Sequence, residues 1–74
     1  MNIAAHWFIQ NQPGSVIDFI EAELHDFTDA YIERTETINA NHNYDATYIV
    51  KGDISAEGLI DACEYMDGMG AYPI

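Results

Sequence analysis

Basic side chains are almost missing from this 74-residue chain: only Arg34 and Lys51 stand against thirteen aspartates and glutamates, giving a formal charge of -11. A field of that sign repels phosphate, so direct binding to nucleic acid is not expected. Cysteine is limited to Cys63, which rules out an intramolecular disulfide, and no basic stretch followed by an apolar run opens the N-terminus. A cytoplasmic setting follows as the expectation. No apolar run nears the roughly 18 residues of a membrane span, so no membrane partner is expected. The signatures of catalysis are missing as well. His6, His25 and His42 do not form a metal-like pair with a nearby third ligand, and His25-Asp26 with Asp29 is a motif common to exposed acidic stretches. Gly68-Met69-Gly70 follows a predicted helix, where a phosphate loop has to precede one. The chain is therefore read as a non-enzyme with no catalytic residues, no metal and no cofactor.

Apolar residues nevertheless make up 49% of the chain, with five Tyr, three Phe and one Trp, too much core material for a disordered acidic tail. Residues 1–74 are read as a single acidic α+β domain, small enough to bury only about 60% of its unfolded surface. Ile3 to Ile9 is a nearly continuous apolar run closed by Asn11-Gln12-Pro13-Gly14, which predicts a mostly buried strand. Ser15 offers an N-cap, and Val16, Ile17, Ile20, Leu24 and Phe27 follow at helical spacing, predicting a helix over about 16–26. Ala30 to Ile38 and Tyr44 to Lys51 are rich in β-formers and flank the asparagine-rich turn 39–43, which predicts a hairpin. Ser55 is a second N-cap, with Ile54 and Leu59 placed as a hydrophobic staple, and predicts a second helix to about Met66. The tail after Gly68 reads as a short edge strand, since Pro73 forfeits a ladder donor.

This order is that of a ferredoxin-like βαββαβ fold, a four-stranded antiparallel sheet with two helices on one face. An internal echo at an offset of forty supports it: Trp7-Phe8-Ile9 against Thr47-Tyr48-Ile49, Ser15 against Ser55, and Phe19-Ile20-Glu21-Ala22 against Leu59-Ile60-Asp61-Ala62. Both sides of the first and third strands carry apolar residues, so the sheet face without helices is expected to be covered by a partner or by a second copy. Trp7, Phe8 and Tyr48 are the candidates for that dimer or sheet face. Cys63, beside Leu59 and Ile60, is read as a small core residue.

Acidic residues recur at helical spacing. Glu57, Asp61 and Glu64 fall at i, i+4 and i+7, and Asp18 and Glu21, with Asp26 at the margin, form the matching row on the first helix. Carboxylates so arranged stand about 5–6 Å apart, close enough to phosphate spacing for such a row to imitate a nucleic-acid backbone. A solvated helix face ordinarily mixes both signs and gains from i to i+4 ion pairs. Here neither predicted helix contains a lysine or arginine. Two plainer explanations, a merely solvated face and adaptation to high salt, predict no partner at all.

A small, lysine-poor domain built around Ser15-Val-Ile-Asp-Phe-Ile-Glu-Ala-Glu and Ser55-Ala-Glu-Gly-Leu-Ile-Asp-Ala-Cys-Glu resembles the acidic inhibitors that bacteriophages and mobile elements deploy against host defence. These are anti-CRISPR proteins and DNA mimics that block restriction enzymes or uracil-DNA glycosylase. The resemblance lies in size, charge and build, not in a shared motif. It implies a non-enzymatic inhibitor, working in the host cytoplasm, that occupies the positively charged channel of a basic protein or nucleoprotein complex. Asp18, Glu21, Asp26, Glu57, Asp61 and Glu64 are the expected partner-binding residues. The competing reading is a small dimeric regulatory or assembly module, whose acidity serves solubility alone.

Overall fold

The computed structural model describes residues 3–74. In chain order it contains β1 (Ile3–Gln12), α1 (Gly14–Phe27), β2 (Tyr31–Ile38), β3 (Tyr44–Lys51), α2 (Ala56–Gly68) and β4 (Tyr72–Pro73). The strands form one sheet in the order β2-β3-β1-β4, each neighbouring pair antiparallel. With two helices, this is the ferredoxin-like α+β arrangement that the element order predicts.

Period-two alternation sorts the strand side chains onto two faces, and the helices cover one of them. Trp7 and Ile9 of β1, Ile32 of β2, and Ala46, Tyr48 and Val50 of β3 share one face and are buried. They meet Ile17, Ile20 and Leu24 of α1 and Ala62 and Met66 of α2. The opposite face carries Phe8, half-buried and stacked on Tyr72 with ring centroids 6.3 Å apart. Of the three aromatics expected on an uncovered sheet face, only Phe8 is there. Trp7 (3% exposed) and Tyr48 (0%) lie under the helices, because the helices pack on the face that carries the larger side chains.

Trp7 faces Tyr48 directly across the antiparallel pair β1 and β3. Two residues stand differently from the expectation. Ser15 is not the cap of α1, which begins at Gly14 after Pro13 and has no side-chain cap bond among the described residues. Cys63 is exposed, because α2 buries Gly58, Ala62 and Met66 instead of the stripe through Ile60 and Cys63.

Polar anchors hold one end of the sheet. Asn39 closes the hairpin: its side-chain oxygen accepts from the Asn41 and Asn43 amides at 2.9 and 3.1 Å, and its Nδ2 donates to Asn11 Oδ1 at 3.1 Å. Asn11, in the left-handed region at φ 58°, marks a bulge that lets β1 continue to Gln12, and its amide donates to Asp45 at 2.9 Å.

Deeper in the core, the Tyr48 hydroxyl donates to the Ile17 carbonyl at 2.8 Å, tying the central strand β3 to α1. Burial holds the Tyr48 proton more tightly than the ordinary tyrosine value of 10.0. A phenol shifted upward contributes stability that is complete below its unfolded value and is lost as pH climbs past it toward the folded one. Stability is therefore expected to fall above about pH 10. Tyr48→Phe should cost about 1 kcal/mol at neutral pH through the lost hydrogen bond, and should flatten part of the alkaline decline. Urea titrations on either side of pH 10 check both expectations; an identical alkaline slope in the variant would assign that decline to other groups.

Candidate functional site

Helix α2 starts at Ser55, whose Oγ accepts from the Gly58 amide at 3.0 Å. With Gly58, Ala62 and Met66 turned inward, Glu57, Ile60, Asp61 and Glu64 occupy the outer face at i, i+3, i+4 and i+7, all exposed. The acidic stripe expected on this helix is thus present. It also has an apolar centre that the sequence reading assigned to the core: Ile60 is 57% exposed. The signal for Ile60 was its spacing from Glu57 and Glu64, which places it within their stripe. Phe19, on α1 beside the exposed Asp18, is likewise 55% exposed.

The carboxylates fall into two groups. Arg34, projecting from β2 on the helix-covered side, reaches Asp18 at 2.8 Å, Glu21 at 3.1 Å and Glu36 at 3.3 Å. The hydrogen bond to Asp18, opposed by desolvation, leads the upward shift of the guanidinium pKa. Lys51 of β3 is paired with Glu33 of β2. Thirteen carboxylates less these four leave nine without a lysine or arginine partner among the described residues. The row on α1 is therefore interrupted: Asp18 and Glu21 are neutralised by a cation arriving from the sheet, which helix spacing alone does not reveal. Glu21 also approaches His25 Nε2 at 3.8 Å.

Asp26, Glu57, Asp61 and Glu64 are unpaired among the described residues. The unpaired acid thus concentrates on α2 and at the end where α1 stops and α2 starts. There Asp26, Asp29 and Asp53 line a cavity of about 230 Å³ with Thr28 and Ser55. Among the described residues no group of three or more His, Cys, Asp or Glu is placed to hold a metal ion. Glu57 in the first turn of α2 is favoured by the helix dipole, but Asp67 lies near its negative end and the last turn contains no basic residue. Past the first turn, these charges do not serve the helix that carries them.

Cys63 borders a second cavity with Trp7, Asp67, Ala71 and Pro73. The Tyr65 hydroxyl, near Phe27, is buried without a hydrogen-bond partner among the described residues. Among the described residues no helix is long and apolar enough to cross a membrane. No protein-family model matches this chain, and neither a curated protein nor a solved structure matches it.

Proposed function

We propose that the chain is a non-enzymatic inhibitor that binds a basic, nucleic-acid-binding protein of a host defence system and blocks it, with α2 as the principal contact element. The observation that carries this reading is the outer face of α2, where Ile60 is surrounded by Glu57, Asp61 and Glu64, exposed and without cationic partners among the described residues. Exposed carboxylates at this spacing complement a lysine- and arginine-lined channel, and an apolar side chain among them gives a protein partner something to desolvate. Both cations of the chain are engaged on β2 and β3, so neither weakens the field over α2.

The test is capture from a bacterial host lysate on the immobilised protein, with elution by increasing salt and identification by mass spectrometry. A basic nucleic-acid-binding protein released by salt, and displaced by its own DNA or RNA, is the expected result. Retention of the same proteins by a variant with α2 neutralised would remove the reading.

High-salt adaptation makes a different forecast. An acidic inhibitor should remain folded in low-salt buffer, with only a modest fall in melting temperature from self-repulsion, whereas a salt-adapted protein should unfold there. Thermal melts monitored by circular dichroism at low and high salt separate the two.

A further inference from the structure

The two edges of the sheet are protected very differently. β4 is two residues long and contains Pro73, which blunts that edge against pairing. β2 is eight residues long, has no proline, and among the described residues pairs only with β3, in unbroken register on one side. Its outer row of backbone donors and acceptors runs beside exposed Tyr31 and Ile38, which are 61% and 62% exposed. Charged side chains are the usual protection for such an edge, and β2 carries Glu33, Arg34 and Glu36. Their order, however, is self-complementary.

We propose that β2 pairs antiparallel with β2 of a second copy of this chain about a two-fold axis at Thr35, joining two four-stranded sheets into one. The register follows from charge. Centred on Glu33, Arg34 or Glu36, the strands would set that residue opposite its own copy, placing like charges face to face. Centred on Thr35, Arg34 faces Glu36 of the second copy and Glu36 faces its Arg34. Ile32 then faces Ile38, covering an exposed side chain, and Glu33 faces Thr37. The pairs on the helix-covered side are thus two of opposite charge and two apolar. Arg34 already holds Asp18, Glu21 and Glu36 of its own chain, and its five donors leave capacity for one more carboxylate. Because each copy carries a formal charge of -11, association is expected to tighten with added salt. Binding of α2 to a basic partner should weaken with salt, so the two interactions stand or fall separately.

Sedimentation of the wild-type chain over rising concentration, at low and high salt, is expected to show a monomer–dimer equilibrium shifted toward dimer by salt; a monomer throughout overturns the proposal. Arg34→Glu and Glu36→Arg should each weaken self-association by about tenfold, since each turns two attractive cross-strand pairs into repulsive ones. Mixed together, they should form a heterodimer, because both pairs are then opposite in sign. Glu36→Arg keeps Arg34 with Asp18 and Glu21, and circular dichroism verifies the fold of each variant before mixing. Failure of two folded variants to associate on mixing overturns the register.

Cross-linking reads the axis directly. In a Cys63→Ser background, Thr35→Cys places two thiols on Cα atoms about 5 Å apart, within disulfide reach, whereas Thr37→Cys leaves them roughly 14 Å apart. A disulfide dimer from the first and not the second is expected. Equal cross-linking, or cross-linking at 37 alone, overturns the proposal, as does capture of a strand from another protein at this edge in place of a second copy.

Discussion

Reversing Glu57, Asp61 and Glu64 to lysine together is expected to abolish capture of the basic partner while leaving the fold intact. Each reversal changes the charge by two, so the formal charge moves from -11 to -5 and the α2 face becomes positive. Three attractive interactions become three repulsive ones. Even at rim-like values the loss should exceed about 4 kcal/mol, roughly a thousandfold in affinity. The fold should tolerate this, because all three side chains are exposed and none bonds to the rest of the chain among the described residues. Lysine at position 64 also suits the negative end of the helix dipole. The melting temperature is expected to stay level or rise, and lysate capture compared side by side with the wild type reads the binding. A folded triple variant that retains the same protein would show that the acid on α2 is not the recognition element. Ile60→Ala adds a separate measure, with a loss of about tenfold if the apolar centre is desolvated on binding.

Gly58→Ala and Gly68→Ala, the same substitution in one helix, should move stability in opposite directions. A Cβ at Gly58 would stand 2.6 Å from the Phe27 carbonyl oxygen, a backbone atom at the end of α1 that cannot rotate away. Relieving that contact requires α2 to move away from the end of α1. Overpacking of this kind outweighs the roughly 1 kcal/mol that alanine gains in a helix, leaving a net loss of about 2 kcal/mol. In a domain of this size that lowers the melting temperature by roughly 10 °C. At Gly68 a Cβ meets nothing within 4 Å, so alanine should raise stability by about 0.5 kcal/mol. Differential scanning calorimetry of both variants decides it. Equal shifts would mean that the two helices are not held as closely as Gly58 allows.

Much of this molecule is written in local chemistry. The hairpin turn at 39–43, the limits of β3 and the Ser55 cap all follow from side chains acting on backbone a few residues away, and there expectation and structure coincide. The acidic stripe on α2 was legible for the same reason, since helical spacing is a local property. Errors arose where two apolar options competed. Ile60, Cys63, Trp7 and Tyr48 each sit in a segment with hydrophobic residues on more than one side, and periodicity alone does not say which side meets the core. Packing decided it: Gly58 admits α2 close to α1, which sets the rotation of α2 and turns Ile60 and Cys63 outward. The helices in turn chose the sheet face with Trp7 and Tyr48. The sequence by itself therefore determined the element order, the ferredoxin-like topology and the excess of acid. Only the tertiary structure decided which acids are free, because Arg34 reaches Asp18 and Glu21 across 16 and 13 residues of chain, a contact made by the packing of α1 over β2 and invisible to any local pattern.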